Sequence, residues 1–198
     1  MRILVIGATG TIGRKVVEAL QVGNDIVPVS LSHTPITVDL GDPASIHAMY
    51  AAVGQVDAVV SAAGKAKFAT FDTLTDEDFA FSLGNKLMGQ VNLVRFGLGH
   101  IADGGSFTLT AGFLARSPMP GATAISLVNA GLEGFARGAA LDLPRRIRIN
   151  IVSPPWVTET LEALHRDPSG GLPAAVVARS YVQSVTGTES GAVIEPSV

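Results

Sequence analysis

Arg2-Ile3-Leu4-Val5-Ile6, running into Gly7-Ala8-Thr9-Gly10-Thr11-Ile12-Gly13, is the stretch that decides the fold. The first five residues are apolar and mostly β-branched, the composition of a parallel strand buried on both faces. From Arg14 to Gln21, Val16, Val17 and Leu20 share one helical face. Between strand and helix, the glycines permit a sharp turn, bring bare N–H groups close to a pyrophosphate and seat the helix against the strand. The helix N-terminus adds partial positive charge and unpaired donors. A glycine triplet alone says little. Flanked by this strand and this helix, and followed by further strand–helix units, it points to a nucleotide site, the competing reading being a tight turn with no ligand.

The remaining sequence continues the alternation. Strands are predicted at Arg2–Ile6, Asp25–Ser30, Ile36–Leu40, Ala58–Ser61, Ser106–Thr110, Arg148–Val152 and Ala192–Glu195. Helices are predicted at Thr11–Val22, Pro43–Val53, Asp76–Ile101, Ala122–Leu141 and near Leu172–Ser184. This order implies an α/β fold, a Rossmann-type doubly wound parallel sheet, in a single domain over residues 1–198. Leu31 to Pro35 are too few for a crossover helix and its turns. Either the second and third strands share an unusually short link, or one of them lies outside the parallel sheet.

A hydrophobic content of 47% against 16% charged residues suits a sheet covered on both faces, and an oligomer that hides more surface. Gly84, Gly89, Gly97 and Gly99 punctuate one long helical segment; Gly131, Gly134 and Gly138 punctuate another. Interior glycines cost about 1 kcal/mol each against alanine, so they mark close approach, either to the sheet or to a helix of a second subunit in a homodimer or homotetramer. No apolar run nears the roughly 18 residues of a membrane span, so no membrane partner is expected. The immediate strand leaves no room for a signal peptide, and the lack of cysteine excludes disulfides, which together fit a cytoplasmic protein. His33, His47, His100 and His165 lack metal-ligand spacing, so no metal is expected. A net charge of −3, with Pro144–Arg148 as the one basic cluster, argues against nucleic acid. The absence of a Gly-x-Ser-x-Gly elbow argues against a serine hydrolase.

Several segments then line up: Val38-Asp39-Leu40-Gly41-Asp42-Pro43, Val60-Ser61-Ala62-Ala63-Gly64, Arg148 through Ser153-Pro154-Pro155-Trp156-Val157, and Thr186-Gly187. With the opening glycines, their order and spacing resemble the short-chain dehydrogenase/reductase family over essentially the whole chain. The resemblance implies NAD or NADP as cofactor and hydride exchange with a small alcohol or carbonyl substrate. It assigns the pyrophosphate to Gly7, Thr9, Gly10, Thr11, Ile12 and Gly13. Asp39 and Leu40 would meet the adenine, Ala62, Ala63 and Gly64 the passing cofactor, and Pro154 and Val157 the nicotinamide. Pro155 stands where the family has glycine, which fixes φ and removes an N–H.

The match fails at the chemistry. The family's Tyr-x-x-x-Lys maps onto Ile125 and Asn129, its serine onto Ala111, and its asparagine onto Lys86. Isoleucine has no proton to give. Lys86 and Asn129 read as the family's lysine and asparagine exchanged between helices, or else as a solvated lysine and a packing substitution. Thr110, at the end of strand five, and Ser126, beside the vacant tyrosine position, join them as candidate catalytic residues. NAD-preferring members carry an acid at the end of strand two. Here Ser30, Ser32 and His33 lie there, with Arg14 able to reach the same corner, which predicts NADP with NAD disfavoured. The expected function is an NADP(H)-dependent oxidoreductase with a non-standard catalytic set; the alternative is a dinucleotide-binding protein that does not turn over.

Overall fold

The computed structural model describes residues 1–197. Its strands are β1 (Arg2–Ile6), β2 (Asp25–Ser30), β3 (Ile36–Thr37), β4 (Val56–Ser61), β5 (Ile101–Thr110), β6 (Arg148–Val152) and β7 (Val193–Ile194). They form one parallel sheet in the order β3-β2-β1-β4-β5-β6-β7. The helices are α1 (Thr11–Leu20), α2 (Pro43–Val53), α3 (Asp76–Ser82), α4 (Gly89–Gly97), α5 (Thr123–Asp142), α6 (Thr158–Ala163) and α7 (Ala174–Thr186). Strand order reverses at β1, whose neighbours β2 and β4 lie on either side, so the carboxyl ends there open into the crevice where this fold takes ligands. The Rossmann-type sheet read from the sequence is the one observed.

Two cores follow from the two-residue repeat of the strands. Leu4, Ile6, Phe107 and Leu109 point to the face covered by α2, α4 and α5; Ile3 and Val5 point to the face covered by α1 and α7. Burial on both faces is why β1 reads as an unbroken apolar run.

The five residues between β2 and β3 are a short link and not a strand expelled from the sheet. β3 pairs only Ile36 with Val29 and Thr37 with Ser30, so after β2 ends the chain need climb back by only a residue or two. Thr34 Oγ1 accepts from Ser30 N–H at 3.0 Å and donates to Ile36 O at 2.7 Å, closing the link without a helix. The five-residue third strand expected over Ile36–Leu40 shrinks to two for the same reason.

The long helix expected over Asp76–Ile101 is also interrupted. It begins under a capping box in which Thr75 Oγ1 accepts from Asp78 N–H and the Asp78 carboxylate accepts from Thr75 N–H. Leu83–Met88 then widen into a π-turn before α4 resumes, and β5 starts directly after the helix, at Ile101. Such turns break the ordinary i→i−4 ladder and re-aim side chains. Lys86 sits in this one.

Candidate active site

The loop after β1 is built as its sequence requires. Gly7 has φ +83°, and a Cβ there would stand 2.6 Å from Ala62 O. A Cβ on Gly13 would fall 1.9 Å from Gly7 O, so only glycine lets α1 close onto the turn. No side chain caps α1, which leaves its first-turn N–H groups at Thr11, Ile12 and Gly13 for a ligand or water. Ser30 Oγ accepts from both the N–H and the hydroxyl of Thr9 at 3.0 Å, tying the loop to the end of β2.

One side of this loop opens into a cavity of about 240 Å³ lined by Gly7, Ser30, Leu31, Val38, Asp39, Leu40, Ala63 and Gly64, among others. The Asp39 carboxylate accepts from Gly41 N–H at 2.8 Å, and Asp39 N–H donates to Ser45 Oγ, which holds this corner in shape. Of the residues expected at the 2′-phosphate corner, Ser30 lines this cavity, whereas Arg14, Ser32 and His33 are exposed and outside its lining, and His33 has φ +62°.

The second cavity, about 270 Å³, lies on the other side of Ala62–Gly64. It brings together Ile12, Lys86, Ala111, Ile125, Asn129, Pro154 and Trp156, residues drawn from five separate elements or loops. Lys86 Nζ donates to Ala111 O at 3.3 Å, and burial lowers its pKa to about 8. Gly64 packs against the lysine stem, a Cβ there falling 3.1 Å from Lys86 Cγ. Asn129 Nδ2 donates to Gly112 O at 3.3 Å, while its Oδ1 is buried without a hydrogen-bond partner. A buried amide oxygen with nothing to accept from is costly unless a ligand or water meets it.

Of the sequence-predicted catalytic residues, Lys86 and Asn129 therefore share a cavity that Thr110 also borders. The Thr110 side chain turns the other way. Its hydroxyl donates to Ser61 O and bonds Tyr181 OH at 2.6 Å, on the α7 side of the sheet. The strand repeat puts Ala111 toward Lys86 and Thr110 away from it. Ser126 Oγ is buried without a partner, and Ser126 is absent from the cavity lining. Val157 is buried against the α7 core and pairs with Leu172, so Pro154 and not Val157 faces the cavity.

Sequence reasoning missed Gln90 and Tyr181. Gln90 is fully buried and clasps the backbone at the end of β5; its signal was a lone amide on an otherwise apolar helix face. Tyr181 touches Thr110 from 71 residues away, which no sequence spacing reveals. Burial raises the pKa of Tyr181 and of Tyr50, whose hydroxyl donates to Leu93 O; neither phenol lines the cavity, so neither can stand in for the missing acid.

A family model described as enoyl-(acyl carrier protein) reductase matches residues 12–194. The chain belongs to the short-chain dehydrogenase/reductase family. Among solved structures it is similar to the protein lin1944 from Listeria innocua, 40% identical, covering 98% of each chain, with a TM-score of 0.95. A small-chain dehydrogenase in complex with NADPH, 22% identical over 98% of this chain and 95% of that one, shares the fold at a TM-score of 0.86. Hydroxynaphthalene reductase arp2 of Aspergillus fumigatus is 28% identical over 153 residues, 76% of this chain and 55% of that protein. The chain spans about half the length of the curated relatives it matches. No helix among the described residues is long and apolar enough to cross a membrane.

Proposed function

We propose that this short-chain dehydrogenase/reductase is an NADP(H)-dependent oxidoreductase that moves hydride between the nicotinamide and a small carbonyl or alcohol, with Lys86 and Asn129 as the family's lysine and asparagine exchanged between helices. The observation that carries this reading is the second cavity. It lies next to the glycine loop and places an ammonium and an orphaned amide oxygen at its floor. A structure that shares this fold is in complex with NADPH, which supports a nicotinamide dinucleotide as the cofactor.

The residues fit a dinucleotide. Gly7, Gly10 and Gly13 with the open first turn of α1 would take the pyrophosphate. Asp39 and Leu40 would flank the adenine, and Ala62–Gly64 would let the cofactor pass close to the backbone. When bound, the nicotinamide supplies hydride. Arg14, Ser30, Ser32 and His33 would meet a ribose 2′-phosphate, and no carboxylate ends β2 to oppose it. Asn129 Oδ1 and the Lys86 ammonium offer an acceptor and donors for ribose hydroxyls. Pro154, Trp156 and Ile125 give the cavity apolar walls that exclude water.

The competing reading, a dinucleotide-binding protein without turnover, draws on Ile125 and Ala111, which leave the cavity with neither phenol nor hydroxyl at the reacting corner. The two separate on one experiment. NADPH is titrated into the protein, then its oxidation is followed across a broad panel of aldehydes and ketones. Turnover establishes the oxidoreductase; tight binding with no turnover across the panel establishes the binding protein.

A further inference from the structure

We infer that Lys86 is itself the acid of the reaction, its ammonium giving the substrate oxygen the proton that a phenol gives elsewhere in the family. This role rests on the oxidoreductase reading above and goes beyond it: Lys86 becomes a catalytic residue and not only a ribose anchor.

Among the side chains that line the cavity, the geometry leaves no other acid, and the unpartnered Ser126 Oγ lies outside that lining. Ala111 and Ile125 have nothing to donate. The Thr110 hydroxyl is engaged with Ser61 O and Tyr181 on the opposite face of the sheet. Asn129 does not ionise. Among the cavity-lining residues, Lys86 alone carries a titratable side chain. Its Nζ has one protein partner, Ala111 O at 3.3 Å, so two of its three N–H bonds remain free. The π-turn and the close approach of Gly64 to the lysine stem hold it over the position that the family's serine would occupy.

The charges around it favour proton release. Lys65 and Lys67 follow β4 and line the adjoining opening with Lys86; Lys67 is paired with Asp78 at 3.2 Å. From β5 and α5, only Ala111, Asn129 and Ile125 face it, none of them ionisable. No carboxylate stabilises the ammonium, and burial lowers its pKa to about 8, close to a working pH.

The step balances. Reduced nicotinamide delivers hydride to the carbonyl carbon, and the C=O π pair moves onto oxygen. One N–H bond of the Lys86 ammonium breaks as the O–H bond forms. The neutral amine then regains its proton from solvent through the opening beside Lys65.

The chain has no cysteine, which makes the test specific. Lys86→Cys is prepared and then aminoethylated, restoring an amine more acidic than lysine's because of the β sulfur. NADPH oxidation is measured with aromatic aldehydes and vicinal diketones against pH, alongside NADPH and NADP⁺ binding. Wild-type turnover falls as pH rises through the Lys86 pKa. Lys86→Cys loses about 10²- to 10⁴-fold in kcat, and aminoethylation restores it with the alkaline limb moved to lower pH. Binding provides a second readout: the wild type holds NADPH more tightly than NADP⁺ at low pH, since the ammonium repels the cationic ring, and Lys86→Met abolishes that pH dependence. Lys86→Met with full kcat at saturating NADPH and only a raised KM overturns the acid role and leaves a ribose anchor. An unshifted limb after aminoethylation, or pH-independent cofactor discrimination in the wild type, also overturns it. Wild-type protein that binds NADPH but turns over no panel member overturns the oxidoreductase reading, and this role with it.

Discussion

Gln90 and Thr110 hold each other through both ends of one amide: Gln90 Oε1 accepts from Thr110 N–H at 2.8 Å, and Gln90 Nε2 donates to Thr110 O at 2.9 Å. The same Nε2 reaches Lys86 O at 3.2 Å. One buried side chain thus fixes the end of β5 against the π-turn that carries Lys86, setting the distance from Lys86 Nζ to Ala111 O.

Replacing Gln90 with leucine keeps the volume but leaves a buried N–H and C=O on Thr110 unpaired. The expected cost is about 2–6 kcal/mol, at 1–3 kcal/mol for each unsatisfied group. At roughly 2–4 °C per kcal/mol for a chain of this size, Tm should fall by about 4–24 °C in calorimetry. An unchanged Tm would mean that water or a rearranged backbone satisfies both groups.

Gly13→Ala should abolish NADPH binding while leaving the sheet intact. Its Cβ would lie 1.9 Å from Gly7 O, so either the turn or the start of α1 must move. Isothermal titration of NADPH checks binding, and far-ultraviolet circular dichroism checks that the fold survives. Retained affinity would place the cofactor elsewhere.

Cofactor choice should follow Arg14, Ser30, Ser32 and His33. NADPH is expected to bind more tightly than NADH, and Arg14→Ala should narrow the gap by weakening NADPH alone. Loss of one charge-assisted contact to phosphate corresponds to about 1.5–3 kcal/mol, roughly 10- to 150-fold in Kd. Equal or tighter NADH binding in the wild type would remove the basis for NADP.

Stability should rise with pH above about 8. Lys86 has its folded pKa lowered to about 8 from an ordinary 10.5, so between these values the unfolded chain binds the proton that the folded chain has released. The ammonium therefore destabilises the fold below pH 8, and that penalty is relieved as pH rises from about 8 to 10.5. Lys86→Met should stabilise the protein at pH 7 by on the order of 1–3 kcal/mol and flatten the curve across this window. Urea titrations at several pH values measure both effects.

Self-association should run through the groove between α4 and α5. Val94, Leu98 and Phe135 line it, and at Gly134 and Gly138 a Cβ would meet nothing within 4 Å. By contrast, Gly89, Gly97 and Gly131 are explained within the chain, by Leu40, Tyr50 and Leu87 respectively. Gly138→Arg gains about 1 kcal/mol of helix propensity while placing a charge in the groove. Light scattering should show an oligomer for the wild type and a monomer for the variant, without loss of Tm. A monomeric wild type at micromolar concentration would count against the interface.

The sheet, its two buried faces and the glycine loop after β1 were legible in the sequence because each rests on local pattern: an apolar run, a 3.6-residue stripe, and glycines at fixed offsets. The alignment of Lys86, Asn129, Ala111 and Ile125 was legible too, through spacing against neighbouring motifs. Direction was not. Whether Thr110 faces the cavity or α7 depends on the register of β5, and a one-residue shift in a strand exchanges the faces of every side chain. The π-turn at Leu83–Met88, the Gln90 clasp and the Tyr181 contact likewise join residues whose separation in the chain carries no signal. The sequence by itself determined that a doubly wound α/β sheet with a glycine loop after its first strand forms and that the family's usual acid is missing. Only the tertiary structure decided which polar groups face the cavity, because that depends on long-range packing and on which buried donors and acceptors are already paired.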